Sequence, residues 1–175
     1  MLEQRGDLWT IDADARCVTT NSEIKRDGRL VMGAGVAKQA IKRYPDLDAR
    51  IASLIKVFGN LPFYFADLGI ISFPTKNDWR DPSDIDLIRN SAEHAKWIAD
   101  AHGLKRIVLT RPGCGCGGLY WPHVREVIAP ILDNRFTVIT PEISDARPEV
   151  DYTAHSGSAR LPAGFPVHVE WREED

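Results

Sequence analysis

Apolar residues along this 175-residue chain recur at two spacings, and the alternation between them predicts its architecture. Short β-rich runs cover Ala15 to Thr20 (ARCVTT), Phe63 to Ala66, Ile70 to Phe73, Arg106 to Thr110 and Phe136 to Thr140. Between them the apolar positions return every three or four residues, which is the spacing of one helix face. Helices are expected over Ala34 to Arg43, Leu47 to Phe58 and Asp84 to His102, with a last one opening at Trp121 and Pro122. In the second, Leu47, Ile51, Leu54, Ile55 and Phe58 share a face, and Gly59 is a natural stop. In the third, Ile85, Ile88, Ala92, Ala95 and Ala99 form the buried stripe. Ser83 is expected to cap that helix with Asp86 three residues on, and Gly103 to end it. Pro122 occupies the tolerated first position of the last helix, which Pro130 should bend or shorten. Strands alternating with helices imply an α/β sheet covered by helices.

After Pro141 the texture changes. Pro141, Pro148, Pro162 and Pro166 punctuate a tail whose only strand-like run is Val167 to Trp171. Residues 1–140 therefore read as one domain, and 141–175 as an extension packed on it or partly mobile. The formal net charge of −3 argues against nucleic-acid binding by charge alone, so any such contact must be local and chemically specific. Lys25 to Arg29 (KRDGR) is the most basic short run. Three cysteines, Cys17, Cys114 and Cys116, are too few for a disulfide framework and suggest a reducing, cytoplasmic setting. No zinc-ligand spacing occurs, and no apolar run is long enough to span a membrane. No metal, cofactor or membrane partner is expected.

Three segments look built for one anion site. Arg111 to Trp121 (RPGCGCGGLYW) follows a strand and opens a helix, and its glycines let backbone N–H groups approach a ligand closely. Gly33 to Lys38 (GAGVAK) nearly matches a dinucleotide fingerprint, but Lys38 stands in place of the third glycine. Phe73 to Lys76 (FPTK) also leaves a strand, and would bring Lys76 to the same carboxyl edge. A partly desolvated lysine beside a sugar can act as a nucleophile toward a masked aldehyde. Asn21, at the end of the first buried run, could orient a sugar hydroxyl or simply cap a turn. Trp79 and Arg80 could stack on a base or pair with a phosphate, or anchor a loop.

Together these residues resemble a macro domain, the ADP-ribose-binding module. Its motif order is followed by Gly6-Asp7-Leu8, Val18 to Asn21, Gly33 to Ala37 and Gly113 to Gly118. The resemblance implies a three-layer α/β/α fold with a mixed, mostly parallel central sheet. It implies that Asp7 accepts a hydrogen bond from the adenine amino group and that Asn21 orients the distal ribose. Leu8, Gly33, Ala34, Gly35, Val36, Ala37, Thr75, Gly113, Cys114, Gly115, Cys116, Gly117, Gly118 and Leu119 would then line the ligand. Phe73 to Lys76, Trp79-Arg80 and Gly113 to Trp121 are similar to the branch of DNA ADP-ribosyl glycohydrolase antitoxins. Those enzymes remove ADP-ribose from thymidine in DNA and use a lysine at the place of Lys76. Relatives acting on ester-linked ADP-ribose add an aspartate in the second glycine loop, where this chain has Gly117. The resemblance thus implies Lys76 and Asn21 as catalytic residues, with ADP-ribose or an ADP-ribosylated substrate, single-stranded DNA among them, as partner. The branch's second, transferase-neutralising domain is not expected in the short tail. Two alternatives stand beside the glycohydrolase: an ADP-ribose 1″-phosphate phosphatase aided by His123 or Asp81, and a reader without chemistry.

Overall fold

A computed structural model describes residues 1–141. The expected extension, with its strand-like run at 167–171, lies outside the described residues. Six strands form one sheet: β1 (Leu2–Arg5), β2 (Ala15–Thr20), β3 (Tyr64–Phe65), β4 (Ile70–Pro74), β5 (Ile107–Thr110) and β6 (Phe136–Thr140). The spatial order is β1-β6-β5-β2-β4-β3, and only the β3–β4 pair is antiparallel. The helices are α1 (Gly35–Arg43), α2 (Leu47–Phe58), α3 (Ile85–His102) and α4 (Trp121–Ile128).

The sheet is covered on both faces. Alternate residues of a strand point to opposite sides, so Cys17, Ile71, Phe73, Ile107 and Leu109 pack with α3 and α4. Val18 and Ile70 pack on the other side with Leu30, Met32, Ala40, Leu47 and Ile51, at α1 and α2. The three-layer, mostly parallel α/β/α arrangement is the expected one. Small residues let α3 lie close to the sheet, where the buried Ser91 hydroxyl donates to the Pro74 carbonyl at 2.7 Å.

The structure departs from expectation at the element ends. Leu2 to Arg5 is exposed along its length and carries no apolar period, yet it forms edge strand β1. It is held from outside its own sequence: the Met1 ammonium donates to Leu132 O at 3.0 Å, and Glu3 accepts from Arg125 Nε and from Trp121 Nε1. The cap of α3 is Asp84, whose carboxylate accepts from Asp86 N and Leu87 N at 2.8 and 3.2 Å. Ser83 cannot serve, because it is buried beneath a loop and its N–H donates to Gly117 O at 2.9 Å. Ala34 is the N-cap of α1 and lies outside the helix; α4 ends at Ile128, before Pro130.

Asp133 and Arg135 clasp the start of β6, and Arg135 reaches Asp100 of α3 at 2.6 Å. The hydrogen bonds from Arg135 hold the Asp133 carboxyl down to about 2. A carboxyl depressed in the folded state stabilises above its unfolded pKa, and that contribution fades as pH falls through the folded value. Stability should therefore drop between about pH 4 and pH 2. Urea midpoints across that window should fall less steeply for Asp133→Asn than for the wild type.

Candidate functional site at the carboxyl edge of the sheet

Five of the six strands run the same way, so their carboxyl ends share one edge, where ligands gather in open α/β sheets. Gly6-Asp7-Leu8 leaves β1, Asn21 leaves β2, Thr75-Lys76 leaves β4, and Arg111 to Gly118 leaves β5. These segments lie far apart in sequence and meet only here.

The Asp7 carboxylate is exposed and accepts from Trp9 N at 2.9 Å through Oδ1. The Leu8 side chain is buried with Val108 and Ile139, so it serves the core. Arg16 clamps this loop from below, donating from Nε to Leu8 O at 3.0 Å and from Nη2 to Ile11 O at 2.6 Å. Asn21 ties its own strand end to the next loop: Nδ2 donates to Val31 O at 2.8 Å and Oδ1 accepts from Glu23 N at 2.9 Å. Each end of its amide keeps a second hydrogen-bonding position.

The first glycine loop runs into α1. Gly33, Ala34 and Gly35 are exposed, Val36 and Ala37 half-buried. No side chain caps α1 and no acid sits in its first turn, so its free N–H groups and positive dipole end face the edge. The first turn of α4 is likewise without a side-chain cap or an acid. By contrast α2 carries Asp48 in its first turn, and α3, which starts beneath the second glycine loop, is capped by Asp84 and carries Asp86. The two helices into which the glycine loops lead thus carry no acid in their own first turns. An anion such as a pyrophosphate is what that arrangement favours.

Lys76 joins the loop after β4 to the second glycine loop. It is half-buried, and its ammonium donates to Cys116 O at 3.0 Å and to Trp79 O at 3.2 Å. An ammonium has three N–H donors, so one remains. Asn60 holds the peptide beneath it, donating from Nδ2 to Lys76 O at 2.9 Å and to Asn77 Oδ1 at 2.9 Å. Thr75 is buried, and its N–H donates to Thr20 O at 3.0 Å. Arg80, Asp81 and Pro82 face Cys116, Gly117 and Gly118 across a shallow cleft of about 400 Å³. His123 is exposed in the first turn of α4. Within the basic run at residues 25–29, Arg29 pairs with the buried Asp48 at 2.7 Å and Lys25 with Asp27 at 3.7 Å.

The second loop turns on two glycines. Gly113 has a φ of +77°, and a Cβ there would lie 2.7 Å from Ile88 Cδ1. At Gly117 a Cβ would lie 2.1 Å from Ser83 Oγ and 2.4 Å from Gly113 O. No side chain fits at that place, so the aspartate of the ester-cleaving relatives has no room there. Gly33, Gly35, Gly115 and Gly118 instead face open space within 4 Å.

Comparison with solved structures identifies this arrangement. The macrodomain of Mycobacterium tuberculosis DarG superimposes with a TM-score of 0.66 at 26% identity, over 80% of this chain and 97% of that one. The described domain is a macro domain. Its fold is also that of Thermosipho africanus DarTG, solved in complex with ADP-ribose, with a TM-score of 0.64 at 22% identity over 80% of this chain and 42% of that one. In sequence it is 30% identical over 141 residues to the DNA ADP-ribosyl glycohydrolase of Thermus aquaticus. That match covers 74% of this chain and 37% of the relative, so the chain spans little more than a third of the curated protein's length. No family model matches the sequence.

Gly117→Ala should destabilise this macro domain by about 1–3 kcal/mol, the usual cost of overpacking. Gly115→Ala, whose Cβ meets nothing, should stay within about 0.5 kcal/mol of wild type. Denaturant unfolding of the two variants checks the contrast.

Proposed function

We propose that this macro domain binds ADP-ribose and removes it from a modified nucleobase, thymidine in single-stranded DNA, or from a protein side chain. The observation that carries the reading is the placement of Lys76. A half-buried ammonium bridges the loop after β4 and the second glycine loop, at the edge where a pyrophosphate and its distal ribose would lie. The sequence likeness to a DNA ADP-ribosyl glycohydrolase and the fold shared with an ADP-ribose-bound protein support it.

In this reading Asp7 takes the adenine amino group, and the first glycine loop with the α1 N-terminus holds the pyrophosphate. Asn21 orients the distal ribose. The second loop, from Gly113 to Leu119, closes over that ribose with Cys114, Gly115, Cys116, Gly117 and Gly118. The third N–H of Lys76 then faces the anomeric carbon and the atom leaving it. With two of its hydrogens held by carbonyls, Lys76 is best placed to stabilise the leaving group as a donor. With Gly117 in the second loop, no carboxylate from that position shares the task. We place the protein in the cytoplasm; among the described residues no helix is long and apolar enough to cross a membrane.

A thymidine-ADP-ribosylated single-stranded oligonucleotide tests the reading. Wild type should release ADP-ribose, and Lys76→Ala should slow release by at least about 100-fold while calorimetry shows ADP-ribose still bound. Binding without release by wild type would leave a reader of ADP-ribose. Equal turnover by Lys76→Ala would remove the lysine from the chemistry.

A further inference from the structure

The ladder between β2 and β4 ends with Thr20 opposite Pro74, and one further bond, from Thr75 N to Thr20 O, prolongs it. Asn21 and Lys76, the side chains assigned to the distal ribose and its bond, lie just past that point. Their spacing therefore rests on side chains outside the ladder. Ser22 donates to Asn77 O from its N–H at 3.0 Å and from Oγ at 2.9 Å, which ties the segment after β2 to the residue after Lys76. Asn60 supplies the other tie. Its Nδ2 donates to Lys76 O and to Asn77 Oδ1, each at 2.9 Å.

Asn60 belongs to neither strand, and its own backbone is anchored on both sides. Gly59 before it closes α2, donating to Ile55 O at 2.8 Å. Leu61 N donates back to Gly59 O at 3.0 Å, so Asn60 is the middle residue of a tight three-residue turn. Two residues on, Phe63 N donates to Ser72 Oγ at 2.8 Å, and Phe63 O accepts from Ser72 N at 2.9 Å. The Asn60 amide can face only one way. Lys76 O and Asn77 Oδ1 are both acceptors, so both must meet Nδ2, whose two hydrogens they use. That orientation leaves Asn60 Oδ1 buried with no hydrogen-bond partner among the described residues. A buried acceptor without a donor is costly, and such a group calls for a reason. The two donations to the Lys76 segment supply it.

We infer that Asn60 is a positioning residue for the Lys76 amine. It fixes the peptide from which the side chain enters the site, and with it the direction of the one N–H left for the substrate. This rests on the glycohydrolase reading for what that N–H meets. The carbonyls of Cys116 and Trp79 fix where the nitrogen sits, at 3.0 and 3.2 Å. With two hydrogens directed at those carbonyls, the third points where the Cε–Nζ bond leaves it. The direction of that bond is set from the Lys76 backbone, at the other end of a flexible stem. A peptide free to swing carries the stem with it, and a displacement of about 1 Å near a reacting group can cost up to about 100-fold in rate. Ser22 alone does not prevent the swing, since its bonds reach Asn77 O, one peptide further on.

Single-turnover release from a thymidine-ADP-ribosylated single-stranded oligonucleotide tests it, with affinities measured alongside. Asn60→Ala should slow release by about tenfold, while affinities for ADP-ribose and the oligonucleotide stay within about twofold. Asn60→Asp keeps the shape but has no hydrogen to donate at neutral pH, so it should lose as much. In a Lys76→Ala background the same substitutions should change the residual rate by less than about twofold, because a residue acting through Lys76 then has nothing to position. An unchanged rate in Asn60→Asp would overturn the inference. So would an equal loss in both backgrounds, or a loss carried by affinity, each of which marks a merely structural role. A readout without turnover stands beside these: the ammonium hydrogens of Lys76 in heteronuclear NMR spectra, assigned by their loss in Lys76→Ala. They should exchange with water faster in Asn60→Asp than in wild type, and unchanged exchange would overturn the inference. Failure of the hydrolase reading is seen separately: wild type would bind the oligonucleotide and release nothing, and the exchange rates would then decide the role of Asn60.

Discussion

The parallel pairing of β2 with β4 on one side and β5 on the other is the constraint on which the site depends. Three adjacent strands running the same way place their carboxyl ends side by side at roughly 5 Å intervals. Asn21, Lys76 and the loop from Arg111 are therefore neighbours, although β2 and β5 are separated by nearly ninety residues of chain. The connection from β4 to β5 has to pass across β2, and α3 makes that crossing. Its length and its stripe of small residues follow from that duty, and Ser91 marks how closely it lies to the sheet.

On this frame the electrostatics are set by where acids are absent as much as by where bases are present. The two helices into which the glycine loops lead have neither a side-chain cap nor an acid in the first turn, whereas α2 and α3 have acids there. The lysine between the loops completes the arrangement by bonding to one carbonyl from each side, Trp79 O and Cys116 O. Movement of either loop would move the amine.

Much of this was legible in the chain. β2, α2 and β6 lie where their apolar residues put them, the two strands as runs buried on both faces and the helix as a period that records its packed face. The glycine loops could be read as loops since few other residues tolerate their turns. What escaped detection was held by distant partners. β1 shows no apolar pattern and is ordered by Leu132, Trp121 and Arg125. The α3 cap moved by one residue because a loop more than thirty residues away covers Ser83. Asn60 and Arg16, which brace the Lys76 peptide and the Asp7 loop, carry no motif at all. Their partners are backbone carbonyls, and a carbonyl has no sequence signature.

The sequence by itself determined the class of the fold, the order of its motifs and the chemistry available at the edge: glycine turns, an asparagine, a lysine and an indole. Those follow from residue type and local spacing, which act over a few residues. Only the tertiary structure decided that Gly117 has no room for a side chain, that Lys76 spans two loops, and that Leu8 faces the core. Each of these depends on atoms brought together across the sheet, where distance in space is unrelated to distance along the chain.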